Sequence, residues 1–187
     1  MKRIGITGSL ASGKSSAGKI LGKKGPVFSA DNVVKKLYSK KRFKKYLSKK
    51  LKIANSTNLK SLIKKKILKD KSFFKKLEKI IHPLVRKEMK KFSTKNKDKD
   101  ILIFDIPLLV ESKLMKKFDI TVFVDCKKAA RLKRFIRKGG KKSFFNILNR
   151  RQMIASRKRK FCDYKINNNK KLEVLKKNAK IILNAYE

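Results

Sequence analysis

Residues 8 to 15 read Gly8-Ser9-Leu10-Ala11-Ser12-Gly13-Lys14-Ser15 and fit G-x-x-x-x-G-K-[ST] at every defined position. A loop of this composition turns successive backbone N–H groups inward, and a helix starting directly after it adds the positive end of its dipole. Such a cradle receives phosphates. Lys14 reaches the β- and γ-phosphates, Ser15 offers a hydroxyl to Mg2+, and Ser16 follows in the first helical turn. The implied ligands are ATP, or a similar nucleoside triphosphate, and Mg2+.

Other residues along the chain have the types that phosphoryl transfer uses. Asp31 follows the apolar Val27-Phe28-Ser29 and can take the proton of an attacking hydroxyl or cap a helix. Asp105 closes another apolar run, a place from which a carboxylate holds Mg2+ directly or through water, or simply ends a strand. His82 is the only histidine; Pro83 follows it and Arg86 lies one turn on. Because proline disfavours an α conformation in the residue before it, His82-Pro83 predicts a helix boundary that aims the imidazole and Arg86 at a cleft. Arg131, Arg134 and Arg137 recur at intervals of three and lead into Gly139-Gly140 and the basic stretch Lys141 to Lys160. Arginines on a mobile lid would neutralise a migrating phosphate and exclude water. Arg137, nearest the glycines, is the first choice among them.

The elements that must position these residues alternate between strand and helix. Arg3 to Thr7 reads as a buried strand, Ser16 to Leu21 opens a helix, and Val27 to Ser29 forms a second strand after Gly25-Pro26. Ile101 to Ile106 is a third strand, Ile120 to Val124 a fourth, and Lys165-Ile166 a short fifth. Phe73, Leu77, Ile80, Ile81, Leu84, Val85 and Met89 are spaced for a helix, as are Leu172, Leu175, Ala179, Ile182 and Leu183. This alternation predicts an α/β fold with a mostly parallel central sheet and ligands at the carboxyl ends of its strands. The helical stretch from Val33 to Lys95 would form a lobe over that edge.

At 187 residues the chain has room for one domain with insertions. Its 56 Lys and Arg against 13 Asp and Glu give a net charge of +43. The basic residues run from Lys2 to Lys180 and do not gather in an arm, so the charge reads as solvated surface that binds nucleic acid without specificity at low salt. Cys126 and Cys162 show no metal or disulfide spacing, which suits a reducing cytoplasm. No apolar run predicts a secretory leader or a membrane span.

Several further segments occur together. Ser29-Ala30-Asp31, Leu77 to Val85 with its His82-Pro83, Asp105-Ile106-Pro107-Leu108-Leu109-Val110-Glu111 and Cys162-Asp163-Tyr164-Lys165-Ile166-Asn167-Asn168 resemble the dephospho-CoA kinases, in that family's order. The likeness runs from residue 4 to about residue 169. It implies a single domain of the three-layer P-loop fold, with an acceptor lobe over about 33–95 and a mobile lid over about 138–161. The reaction it implies is transfer of the γ-phosphate of ATP to the ribose 3′-hydroxyl of dephospho-CoA, the last step of coenzyme A synthesis, in a monomer or weak oligomer. It further implies Asp31 as catalytic base, with Lys14 and Arg137 on the moving phosphate. ATP would contact residues 8 to 16, Asp163, Ile166 and Asn168; the acceptor would meet Asp31, His82, Pro83, Arg86, Leu108 and Glu111; Ser15 and Asp105 would hold Mg2+. Gln152 and Lys158 fit the family's lid spacing, and Phe161 or Tyr164 could stack on a base. Ser9, Ala11 and Ser29 depart from the family's usual glycines and acid, and residues 40 to 70 match it poorly.

Two other readings stay open on the residues alone. One is another P-loop kinase for a small acceptor such as a nucleoside monophosphate, which an acceptor panel would separate. The other is a basic ATP-dependent nucleic-acid-binding protein, whose turnover nucleic acid would stimulate.

Overall fold

The computed structural model describes residues 1–54, 56, 58–170 and 172–184. Five strands, β1 (Lys2–Gly8), β2 (Val27–Ser29), β3 (Ile101–Asp105), β4 (Ile120–Asp125) and β5 (Tyr164–Asn167), make one sheet in the order β2-β3-β1-β4-β5. All four neighbouring pairs are parallel. The near-continuous apolar runs Leu102–Phe104 and Ile120–Val124 are what strands covered on both faces require. The third strand stops at Asp105, one residue short of the expected end. The fifth is two residues longer than Lys165-Ile166, because its pairing with β4 (Val122↔Tyr164 to Asp125↔Asn167) brings in polar residues that periodicity alone passes over.

Helix α1 (Lys14–Leu21) follows β1 after the loop. On that face of the sheet Ala17 and Leu21 join Leu175, Ala179, Ile182 and Leu183 of the last helix in burying Ile4, Ile6, Val122, Val124 and Ile166. Burying a side chain of this size stabilises by about 1.5–3 kcal/mol. Phe104 packs toward Phe28 and Phe118, with ring centroids 5.8 Å and 5.2 Å away.

Residues 30–94 form a compact unit of their own. It contains α2 (Ala30–Ser39), α3 (Lys41–Leu51), α4 (Leu59–Lys69) and most of α5 (Lys71–Lys95). Tyr38, Phe43, Leu47, Leu51, Leu59, Ile63, Ile67, Phe73 and Leu77 are its buried stripe. Burial pushes the Tyr38 phenol up to about 12. The expected boundary at His82-Pro83 does not exist: α5 runs unbroken through Pro83 for 25 residues. Proline removes one backbone donor and crowds the carbonyl four residues back, a cost of about 3 kcal/mol. The apolar positions before and after it, with Phe73, Leu77 and Met89 buried, keep the helix in one piece.

The other unit, residues 1–29 and 95–187, is completed after β4 by α6 (Lys128–Arg137), α7 (Lys142–Arg151), α8 (Ala155–Arg159) and α9 (Leu172–Asn184). The chain leaves β1 for β2 on one side and later crosses to β4 on the other, so the order reverses at β1. A crevice at the carboxyl ends of the strands follows from that reversal. The loop at Gly8 sits there.

Candidate active site

Gly8 and Gly13 are where the loop needs glycine. A Cβ on Gly8 would lie 2.5 Å from the Val124 carbonyl oxygen and 2.7 Å from Ser12 Oγ. Gly13 caps α1 with φ 96° and ψ 20°, a left-handed conformation, and a Cβ there would collide with the Asn168 side-chain amide. Ala11 also takes a left-handed φ, 58°, a conformation that favours glycine. The strain is of order 1–2 kcal/mol and has to be held by the surroundings.

Those surroundings are hydrogen bonds to the loop's backbone from outside. Leu10 N donates to Gln152 Oε1 at 2.7 Å, and Arg131 Nη1 donates to Leu10 O at 3.2 Å. Ser12 O accepts from Asn168 Nδ2 at 2.8 Å and from Arg134 Nη1 at 3.3 Å. Arg134 Nη2 also donates to Asn168 O at 2.9 Å, and Arg131 reaches Cys126 O and Asn149 Oδ1. Burial lowers the Arg131 pKa from its ordinary value and raises that of the Cys126 thiol. Inside the loop, Ser12 N donates to Ser9 O at 3.1 Å.

Within the loop, Lys14 is buried and its Nζ lies 3.4 Å from Ser9 O. Ser12 Oγ is fully buried and has no hydrogen-bond partner among the described residues. Ser15 Oγ donates to Asp105 Oδ2 at 2.9 Å across the β1–β3 junction. A serine hydroxyl beside a strand-end carboxylate suits Mg2+, which takes few protein oxygens and keeps waters and phosphate oxygens for the rest. Among the described residues no group of three or more His, Cys, Asp or Glu gathers around a common point.

A second polar cluster lies after β3. Pro107 O accepts from Thr7 Oγ1 at 3.0 Å and from Lys158 Nζ at 2.6 Å. Lys158 is completely buried and pairs with both carboxylate oxygens of Glu111, at 3.0 Å and 2.9 Å. Glu111 Oε1 also accepts from Met153 N at 3.1 Å. Burial lowers the Lys158 pKa, opposed by Glu111 and assisted by the positive charge of Lys14.

Some expected site residues stand elsewhere. Arg137 is exposed at the end of α6 and makes no hydrogen bond or ion pair among the described residues, while Arg131 and Arg134 meet the loop. A step of three residues turns a helix by about −60°, so positions 131 and 137 point roughly 120° apart. Asp163 precedes β5 at the amino end of the sheet, accepting from Thr121 N and Oγ1 at 2.7 Å each. The Ile166 side chain is fully buried in the core. Asn168 does reach the loop, through the Ser12 carbonyl. The Glu111 carboxylate, expected at the acceptor, is engaged by Lys158 and Met153. Leu108 lies in the turn just before it, partly buried. Thr7 and Asn149 were missed, since isolated polar residues in apolar or basic stretches carry no motif.

In the helical unit, Asp31 is exposed as the second residue of α2, inside the first turn and not at the cap. Its charge suits the positive end of that helix. His82 and Arg86 are one turn apart on α5, with Pro83 and Arg86 exposed. Burial first, and then the neighbouring Arg86 charge, hold the His82 pKa below its usual value.

A parallel sheet reversing at the loop-bearing strand, with a Ser–Asp pair at the foot of that loop, defines a P-loop kinase. Comparison with known proteins narrows this. Residues 2–173 match the dephospho-CoA kinase family, and the chain belongs to it. The dephospho-CoA kinase of Bartonella henselae is 35% identical, covering 92% of each chain. A crystal structure of a Thermus thermophilus protein superposes with a TM-score of 0.80 at 25% identity, covering 100% of this chain and 98% of that one. Dephospho-CoA kinase from Campylobacter jejuni shares the fold, with a TM-score of 0.59 at 19% identity and coverage of 98% and 96%.

Proposed function

We propose that the protein transfers the γ-phosphoryl group of ATP to the ribose 3′-hydroxyl of dephospho-CoA, giving coenzyme A and ADP. The observation that carries this reading is the Ser15–Asp105 hydrogen bond beneath an externally braced phosphate loop, in a chain matched to the dephospho-CoA kinases over residues 2–173. The inward N–H groups of residues 8–15, the Ser12 hydroxyl and the start of α1 bind the phosphates, and Lys14 swings from Ser9 O onto the β- and γ-oxygens. Ser15 and Asp105 would hold Mg2+, which when bound would supply positive charge to offset that of the phosphates. Asp31 orients the attacking hydroxyl and takes its proton, while His82 and Arg86 on α5, with Leu108, bind the acceptor.

Arg134 is the arginine best supported beside the phosphates, since it already contacts the loop. Arg137 takes that role only if the stretch at Gly139-Gly140 folds over the bound nucleotide, as a lid within about 138–161 would if its moving part ends before Gln152. Gly139 is left-handed at φ 78°, and a Cβ there would meet nothing within 4 Å. The lobe that receives dephospho-CoA is residues 33–95. The enzyme acts in the cytoplasm as a monomer or weak oligomer, and its charge of +43 gives only salt-sensitive, nonspecific binding to polyanions. No described helix is long and apolar enough to cross a membrane.

The test is coenzyme A formation by the purified protein from Mg·ATP and dephospho-CoA, with AMP, shikimate and RNA in parallel. Conversion of dephospho-CoA alone is expected. Preference for AMP or shikimate, or ATP hydrolysis stimulated by RNA, would overturn the reading.

A further inference from the structure

The fully buried Lys158 forms an ion pair with the partly buried Glu111, to which the phosphate-loop motif assigns no task. The carboxylate of Glu111 takes both a lysine ammonium and the Met153 amide, and the same ammonium takes the Pro107 carbonyl that Thr7 also holds. One residue before Met153, Gln152 accepts from the Leu10 amide at the tip of the phosphate loop. The seven residues from Gln152 to Lys158 thus touch two separate pieces of the site: the loop's tip, and the turn from Pro107 to Glu111 that follows the metal-side carboxylate Asp105. Both pieces and the segment joining them lie in the same compact unit.

We propose that residues 152–158 act as a strap that fixes the phosphate loop and the 107–111 turn relative to one another, and that Lys158 with Glu111 are positioning residues for both substrates. This rests on the kinase reading for the identity of the acceptor, and on the geometry alone for the link to the loop. Lys158 is a positioning residue in this role: its side chain is completely buried, and its Nζ is held by Pro107 O and Glu111. Its effect passes through Met153 and Gln152 to Leu10 N, and through Pro107 to the chain leaving Asp105. A buried ion pair is a demanding fastener, because removing one partner strands the other charge, whereas replacing both with apolar groups is often tolerated. That asymmetry separates folding from positioning.

Four chains decide it: wild type, Lys158→Met, Glu111→Gln and the double replacement Glu111→Met with Lys158→Met. Each would be assayed for thermal stability, KM for ATP and dephospho-CoA, fluorescent ATP-analogue affinity, and hydrogen exchange of peptides covering residues 8–14 and 150–156. Lys158→Met is expected to lose stability, and the double variant to recover most of it. The double variant should nonetheless show about a fivefold or larger rise in both KM values, weaker analogue binding and faster exchange at residues 8–14, with a smaller change in kcat. Wild-type KM values and unchanged exchange in the double variant would overturn the proposal, leaving the pair a packing feature only. A rise in the dephospho-CoA KM alone, seen with Glu111→Gln and not with Lys158→Met, would also overturn it by making Glu111 a direct acceptor ligand. If wild type makes no coenzyme A, the kinase reading fails by itself, and analogue affinity and exchange still decide the strap.

Discussion

Around Leu10 and Ser12 the backbone is gripped by Gln152, Arg131, Arg134 and Asn168, drawn from three separate stretches of sequence. In α2–α5 the shape rests on a stripe of aromatic and aliphatic side chains from Tyr38 to Leu77, and Tyr38 meets Phe43 edge-on with centroids 5.8 Å apart. The first region is specified by directional bonds, each with one permitted geometry. The second is specified by area, which many side chains of similar size can supply. Substitutions should therefore cost function in the first region and stability in the second, and the two losses should be separable.

The largest effect is expected at Lys14. Lys14→Ala should lower kcat by about 10²–10³-fold, the scale for losing a preorganised charge at the transferring group, with an unchanged unfolding midpoint. Asp31→Asn should lower kcat by at least about 10²-fold while ATP-analogue affinity stays as in wild type; full activity would move the base elsewhere. In the helical unit, Leu47 is fully buried, and Leu47→Ala should cost about 2–5 kcal/mol in urea unfolding. Because that loss is one of packing, activity of the folded fraction at low temperature should be nearly intact. Arg134→Ala should weaken ATP affinity roughly tenfold, as removal of a charged hydrogen-bond donor to buried carbonyls costs about 1.5–3 kcal/mol. Arg137→Ala should leave affinity alone and lower kcat only if the lid closes with that arginine inward.

The smallest expected effect concerns pH. His82 has a lowered pKa in the folded chain, so its contribution to stability is complete above the unfolded value near 6.5 and is lost as pH falls toward and through the lower folded value. Urea unfolding between pH 7 and pH 5 should show a drop in stability that His82→Gln reduces. An identical pH dependence in the variant would assign the drop to other groups.

The donor half of the site was legible because its chemistry is local: eight consecutive residues make the loop, and an apolar strand ending in Asp105 supplies the partner of Ser15. The strands and closing helix were legible from apolar runs and spacing. What a local reading passes over depends on register and rotation. Asp163 lies at the amino end of the sheet because β5 pairs with β4 from Val122↔Tyr164 onward, a fact absent from its own neighbourhood. Arg137 stands exposed, turned about 120° from Arg131 by helical rotation, and the expected break at Pro83 gives way to a long apolar stripe that outweighs the local rule. Glu111 and Lys158 are 47 residues apart, and no spacing rule joins them.

Strand β1 pairs only with β3 and β4, its partners beginning at Ile101 and Ile120. During synthesis from the amino end, the first strand and the nucleotide loop are made early and then wait, unpaired, for roughly a hundred residues. The helical unit, built from contacts close in sequence, can take shape in that interval. Competence to bind ATP should consequently come only after Asn168 and Gln152 have arrived to brace a loop synthesised before them. A nascent chain halted before residue 150 should carry the complete phosphate-binding motif and still bind no nucleotide tightly.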